Sequence, residues 1–209
     1  MQRETIYDPV FDAQQHYRLV LDAMARPGKI NVLPRLSLQP PPGLSGGAAL
    51  VGFALLDADV AFCAEDGNAA IVRYLVTNTA ARPGDVTDAD FVFAGGQASP
   101  ALINEMKKGS LAYPDEGATL VLDIEGLASQ AEGVRGDAGA QGLSLTLSGP
   151  GVAGEKTFFV KGLNASLLEA LRDCNAEFPL GIDLILTDPG FRIACIPRSS
   201  KIKITSWDM

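Results

Sequence analysis

The chain has 209 residues, of which 47% are hydrophobic and 20% charged, so it can bury a sizeable core and is not predominantly disordered. Its net charge of −8 argues against nucleic acid and anionic membrane surfaces as partners. The three cysteines, Cys63, Cys174 and Cys195, form no CxxC pair and have no zinc-ligand spacing, which favours free thiols in a reducing compartment. No signal peptide or membrane span is recognisable, and we expect a soluble cytoplasmic protein.

Helices and strands alternate in the first half of the chain. Asp8-Pro9 offers a helix start, and Pro27 followed by Gly28 ends that helix. Residues 48–56 are apolar throughout, so their period does not separate a buried helix from a buried strand. The remaining elements predicted here are strands near 29–33, 60–63, 91–93 and 119–124, and helices over 69–76 and 99–107.

Antiparallel pairing dominates the prediction for the second half. Residues 128–142 are rich in Gly, Ala, Asp and Gln, which is typical of a loop. Gly149-Pro150-Gly151 separates two strands as a hairpin turn, and residues 164–176 form an amphipathic helix. A strand pair follows, and Lys201–Ile204 resembles a charged edge strand. We therefore predict one α/β domain over residues 1–209, with a mixed β-sheet flanked by helices.

Two motifs resemble catalytic or nucleotide sites without the required context. Gly43-Leu44-Ser45-Gly46-Gly47 matches G-x-S-x-G, but prolines precede it and the single histidine, His16, lies upstream of Ser45. Gly149–Thr157 approaches a phosphate-binding loop, but Glu155 precedes the lysine and a strand pattern follows. A hydrolase using Ser45 and a nucleotide loop are both disfavoured. No residue pattern predicts a metal or an organic cofactor.

Two cationic patches stand out in this acidic chain. Arg26 lies beside Lys29, and Arg198 is followed by Ser199, Ser200 and Lys201. Arginine, hydroxyls and free backbone N–H groups suit phosphate or phosphonate, so Arg26, Arg198, Ser199 and Ser200 are candidate anion-binding residues. The alternative is structural, because cations offset a helix C-terminus and Asp183 is a possible internal partner for an arginine.

Several blocks of the sequence resemble one protein family, in order and over nearly the whole chain. The last block is quite specific, and the motif includes structural positions at Gly28, Gly149, Gly151, Gly181, Asp183 and Pro197. Ser199-Ser200 stands where the family more often has two threonines, which keeps the hydroxyls. The blocks are residues 11–18, 23–28, 55–57, 117–122, 147–151, 178–184 and 196–200. The family is that of the H subunit of the bacterial carbon–phosphorus lyase system, PhnH.

The resemblance implies a function in organic phosphonate catabolism. Family members join subunits G, I and J in a core complex that transfers alkylphosphonate to the ribose of ATP with release of adenine. The fold is similar to the large domain of pyridoxal-phosphate-dependent transferases without the cofactor, and a homodimer is implied in isolation. One hypothesis makes this chain a structural, docking subunit that is not catalytic alone. The other makes it a phosphonate- or nucleotide-binding subunit with its anion site at Arg198-Ser199-Ser200.

Overall fold

The computed structural model describes residues 3–131 and 142–207, and these form five α-helices and eleven β-strands. The helices are α1 (Phe11–Ala25), α2 (Gly46–Leu55), α3 (Ala69–Thr79), α4 (Ala101–Glu105) and α5 (Ala165–Cys174). The first six strands are β1 (Asn31–Val32), β2 (Ala61–Ala64), β3 (Arg82–Pro83), β4 (Phe91–Gly95), β5 (Thr119–Asp123) and β6 (Gly126–Ala128). The last five are β7 (Gly142–Ser148), β8 (Lys156–Lys161), β9 (Asp183–Thr187), β10 (Arg192–Ile196) and β11 (Lys201–Trp207).

Seven strands form a mixed sheet in the order β1-β10-β9-β5-β4-β2-β3. The strands from β9 to β3 in this order run parallel, whereas β10 pairs antiparallel with β9 and with β1. The parallel central strands are apolar runs, as expected for strands covered on both faces. The prediction of a mixed sheet with flanking helices is confirmed.

Each face of the large sheet has its own apolar core. Side chains of α1, α2 and α3 pack with inward residues such as Phe62, Val121 and Ile185 on one face. Helices α4 and α5 pack with Leu120, Leu122 and their neighbours on the other face. Helices on opposite faces leave the strand ends open, so the ends of the parallel strands are the natural place for a ligand crevice.

The other four strands form an antiparallel sheet in the order β11-β7-β8-β6. Leu145, Leu147 and Phe158 of this sheet are fully buried in the core that contains α4 and α5. Strand β11 lies at an edge of the sheet, as its alternating lysines predicted. The single-domain assignment over 1–209 stays a prediction.

Local signals placed most elements within a few residues. Asp8 caps α1, because its Oδ1 accepts hydrogen bonds from the backbone N–H groups of Val10 and Phe11. Gly28 follows the helix with a φ of 80°, and α2 is a helix, which resolves the ambiguity over residues 48–56. Helix α4 ends at Glu105, earlier than the predicted 107, because Met106 is extended.

Most of the predicted 128–142 loop lies outside the described residues. Ala128 and Gly142, its two ends, belong to strands β6 and β7. Among the described residues, no helix is both long and apolar enough to cross a membrane.

Candidate functional site

The carboxyl ends of β2, β4 and β5 meet at one edge of the large sheet. Helix α3 leaves β2 towards one face, whereas α4 leaves the adjacent β4 towards the other. Connections that diverge in this way create a crevice between the two strand ends. A cavity of about 250 Å³ lies there, lined by the last residues of β4 and β5, by Glu65 after β2, and by residues at the starts of α2 and α3.

Asp123 occupies the centre of this edge, at the last position of β5. The backbone N–H of Ser45 donates to Oδ2 of Asp123 over 2.6 Å. Ser45 is also the cap of α2, since its Oγ accepts from the N–H of Ala48 at 3.1 Å. A carboxylate at a helix N-terminus is stabilised by the positive end of the helix dipole. The Gly43–Gly47 segment thus builds a capped helix start rather than a nucleophile elbow.

The start of α2 packs closely against the end of β9. A Cβ atom at Gly47 would collide with the Oγ1 of Thr187, so only glycine fits at this position. Thr187 is fully buried, and its Oγ1 has no hydrogen-bond partner in the described part of the chain. The approach fixes where the cap and the carboxylate of Asp123 stand relative to the sheet.

Burial is the main reason why the pKa of Asp123 lies above its usual value of 3.8. The negative charge of Asp188 raises this pKa further, while the hydrogen bonds from Ser45 lower it. A carboxyl group held this way can exchange a proton, or accept hydrogen bonds from hydroxyl groups, more readily than an exposed one.

Glu65 and Asn68 complete the polar rim of the cavity. The backbone N–H of Gly95 donates to Glu65 Oε2 at 3.2 Å. Asn68 caps α3 through its Oδ1, which accepts from the N–H of Ala70 at 3.1 Å. The arrangement offers two carboxylates on a partly apolar floor, which suits a ligand with hydroxyl or amine groups. The described residues contain no group of three or more His, Cys, Asp or Glu placed to hold a metal ion.

The predicted anion residue Arg198 is engaged inside the protein. Its Nη2 donates to Asp183 Oδ2 at 2.6 Å, and its Nε donates to the same oxygen at 3.1 Å. Nη1 donates to the carbonyl oxygen of Pro114 at 2.7 Å, and Nη2 reaches that of Gly117 at 3.2 Å. The ion pair with Asp183 is the structural alternative that the sequence left open.

Arg26 is exposed and forms an ion pair with Asp22. The Nζ of Lys29 lies 2.7 Å from Oδ2 of the same carboxylate. Ser199 is half-buried, and Ser200 is buried with an Oγ that lacks a hydrogen-bond partner among the described residues. Neither Arg26 nor Arg198 lines the cavity of about 320 Å³ to which Ser199 contributes. Anion binding by these four residues stays a prediction.

The family-motif positions converge around the end of α1. Ala25, Pro150, Gly151 and Pro197 line the same cavity as Ser199, so three blocks that are distant in sequence meet there. Gly151 has a φ of 79°, and a Cβ atom on it would collide with the carbonyl oxygen of Ala25. The convergence explains these positions by packing.

The remaining motif glycines also have left-handed backbone conformations. Gly149 has a φ of 130° in the hairpin turn, and Gly181 has a φ of 140° where the chain turns into β9. A Cβ atom at Gly181 would collide with the Oδ1 of Asn175, which accepts from the N–H of Ile182 at 2.8 Å. Both glycines therefore stand in turns whose backbone conformation favours glycine.

Sequence reasoning did not single out Asp123, Glu65 or Asn68. The serine of G-L-S-G-G ahead of an apolar run was the available signal, because a helix cap needs that residue type. Asp123 had no local signal beyond its position after an apolar strand.

Comparison with known proteins identifies two relatives that are similar to this chain in sequence. A PhnH named as a subunit of α-D-ribose 1-methylphosphonate 5-triphosphate synthase, from Rhizobium meliloti strain 1021, is 31% identical over 198 residues. That match covers 94% of this chain and 92% of the relative. A putative C-P lyase subunit protein HtxG from Stutzerimonas stutzeri is 33% identical over 127 residues, or 59% of this chain and 55% of the relative.

The family match agrees with these relatives and with the resemblance of the motif blocks. Residues 4–203 match the family described as bacterial phosphonate metabolism protein (PhnH). The matched range includes the seven-stranded sheet, the four-stranded sheet as far as the start of β11, the crevice at Asp123 and the motif positions around the end of α1. The chain therefore belongs to the PhnH family of bacterial phosphonate metabolism proteins.

Proposed function

We propose that this chain is a subunit of a carbon–phosphorus lyase complex and supports synthesis of ribose 1-methylphosphonate 5-triphosphate. The observation that carries the proposal is the match over nearly the full length of a relative named as a subunit of that synthase. The family match over residues 4–203 supports the same process. In this reaction alkylphosphonate is transferred to the ribose of ATP, and adenine is released.

We further propose that the chain acts in the cytoplasm by docking to subunits G, I and J, and that it forms a homodimer in isolation. The engagement of Arg198 by Asp183 and two carbonyl groups supports a docking role, because few of its donors remain for a ligand. The likeness to pyridoxal-phosphate-dependent transferases without the cofactor belongs to the same proposal. The large sheet with helices on both faces is compatible with it.

Reconstitution of the complex tests the proposal. Subunits G, I and J are co-expressed with or without this chain, separated by size-exclusion chromatography, and assayed for adenine release from ATP and methylphosphonate. We expect this chain to co-elute with the others and to be required for full adenine release. Equal product formation by the partners alone would contradict the proposal.

The second hypothesis placed an anion site at Arg198-Ser199-Ser200, whereas the carboxyl edge of the sheet suggests a ligand-binding role at another place. Asp123 is half-buried and lines a cavity, and its pKa is raised mainly by burial. We propose that its carboxyl group accepts hydrogen bonds from ligand hydroxyls such as those of ribose. Adenine release by a complex containing Asp123→Asn, compared with the original complex, tests this role. Unchanged release with unchanged KM for ATP would contradict it.

A further inference from the structure

A cavity of about 500 Å³ lies where the segment after α1 meets the start of β8 and the start of β10. Three cationic side chains line it: Lys29, Lys156 and Arg192. Ser129 and Gln130 contribute further hydrogen-bonding groups, and no Asp or Glu is among the described residues that line it. A concave surface lined by one sign of charge concentrates ligands of the opposite sign.

Arg192 is held in place by a buried carboxylate. Its Nε and Nη2 each lie 2.7 Å from Oδ2 of Asp188, which is fully buried. Asp188 is already satisfied by backbone N–H groups, because Leu127 donates to Oδ2 and both Gly190 and Arg192 donate to Oδ1. Arg192 itself is 35% exposed, and no hydrogen bond is found for its Nη1 within the described residues. The guanidinium is therefore oriented in advance and still has donors for a ligand.

Lys156 reaches the cavity across Gly28. A Cβ atom at Gly28 would lie only 2.8 Å from the Cγ of Lys156, so the absence of a side chain there lets the lysine stem pass. Across residues 3–131 and 142–207, no ion pair is found for Lys156. Its ammonium group is available to a ligand.

The local charge is positive although the chain is strongly acidic. Arg26 and Lys29 share Asp22, and Arg192 has Asp188, while Lys156 has no carboxylate partner in the described structure. In this group of four cations and two carboxylates, the cations therefore outnumber the carboxylates by two. A chain with a net charge of −8 concentrates positive charge at this place, and a cluster of this kind suits an anion with more than one negative charge.

We propose that this cavity binds a ligand through its phosphate or phosphonate groups, with Arg192 as the oriented contact and Lys29 and Lys156 as flexible ones. The apolar side chains of Ile30 and Leu127 line the same cavity and accommodate an uncharged part of the ligand. This site differs from the anion site predicted at Arg198-Ser199-Ser200. It gives the chain a ligand of its own, which goes beyond the proposed docking function.

Isothermal titration calorimetry on the isolated full chain tests the site with three probes: inorganic tripolyphosphate, ATP and methylphosphonate. We compare the original protein with Lys156→Gln, Lys29→Gln and the double variant. Lys203→Gln is the matched control, because Lys203 is an exposed lysine on β11. We expect at least one probe to bind, with about tenfold weaker affinity in Lys156→Gln, a larger loss in the double variant and no change in the control.

The three probes separate the possible sources of the anion. Binding of tripolyphosphate and ATP indicates a polyphosphate ligand, whereas binding of methylphosphonate alone indicates the phosphonate substrate. Absence of binding for all three probes overturns the proposal. So does an equal loss in Lys203→Gln and Lys156→Gln, which would mean diffuse charge attraction. Circular dichroism confirms that each variant is folded. Because no partner subunit is present, failure here leaves the docking proposal untouched.

Discussion

The β9–β10 hairpin carries an arginine–aspartate pair at each end, and the two pairs differ in what they leave for a ligand. At one end, all three guanidinium nitrogens of Arg198 donate to Asp183 or to carbonyl groups, and the arginine side chain is 13% exposed. At the other end, Asp188 is the only side-chain partner of Arg192 within the described part of the chain, and Arg192 is 35% exposed and lines a cavity with two lysines.

If the cavity at Arg192 binds an anion as proposed, the sequence motif and the binding site do not coincide in this chain. The end with Arg198 carries the specific sequence block. There the donors of Arg198 bind Asp183 and backbone carbonyl groups, and so hold turns and strand ends together. The end with Arg192 has no motif, but its donors are incompletely used. Unsatisfied donors within a cavity are a better guide to ligand binding than the presence of arginine and serine alone.

The largest effect is expected for Arg198→Gln. Among the residues that the structure describes, the change leaves Asp183 with only the backbone N–H at position 198 as a donor, and it removes the hydrogen bonds to Pro114 and Gly117. Breaking a partly buried pair of this kind costs about 3 kcal/mol in the free energy of unfolding. Urea denaturation measures it. Arg172→Gln, which breaks an exposed pair with Asp173, is the control and should cost less than about 0.5 kcal/mol.

Gly151→Ala tests whether the motif-rich end is held by packing. We expect a loss of about 2 kcal/mol, because the new Cβ collides with the carbonyl oxygen of Ala25 and the backbone is left-handed. Gly154→Ala is the matched control, since Gly154 has a φ of 76° with open space around it. It should cost only about 1 kcal/mol. Equal losses in urea denaturation would show that the contact with Ala25 contributes nothing.

Arg192→Gln makes the comparison of the two pairs quantitative. Asp188 keeps three backbone N–H donors after this change, whereas Asp183 keeps one after the loss of Arg198. We therefore expect a smaller loss of about 1.5 kcal/mol. The same denaturation assay measures it, and a loss as large as that of Arg198→Gln would remove the distinction between the two ends.

The smallest change in stability is expected for Asp123→Asn, within about 1 kcal/mol. Because the pKa of Asp123 is raised in the folded state, the folded protein binds this proton more tightly than the unfolded chain. Its contribution to stability is therefore lost as pH rises from near its usual value of 3.8 through the folded pKa.

The asparagine variant should lack this loss. Its stability relative to the original protein should increase as pH is raised from about 4 to neutrality, because asparagine has no proton to release. Unfolding free energies at several pH values measure the effect. A difference between the two proteins that does not change with pH would contradict the raised pKa.

The sequence was sufficient to predict those helices and strands whose structure depends mainly on neighbouring residues. Asp8 and Gly28 delimit α1 through local hydrogen bonding and backbone freedom, and apolar runs identified the central strands. It was insufficient for α2, because an apolar segment shows no period and the cap at Ser45 was considered only as a nucleophile. The prediction that Lys201–Ile204 lies at a sheet edge was confirmed, because alternating lysines suit a strand with one solvent-facing edge.

The candidate sites were harder to predict because their residues meet only in the fold. Ser45 and Asp123 are 78 positions apart, and the backbone N–H of Ser45 donates to the carboxylate of Asp123. Lys156 joins Lys29 and Arg192 in one cavity only because β8 passes beside Gly28. By contrast, Asp183 and Arg198 are 15 positions apart on one hairpin, and their pairing was among the sequence-based alternatives.

Asp188 lies electrostatically between the two cavities, since it pairs with Arg192 and its charge acts on Asp123. An anion that competes for Arg192 would leave the charge of Asp188 less neutralised and so increase the proton affinity of Asp123. By thermodynamic reciprocity, protonation of Asp123 would strengthen anion binding by the same factor. If an anion binds beside Arg192 as proposed, its uptake and the uptake of a proton by Asp123 would therefore favour each other.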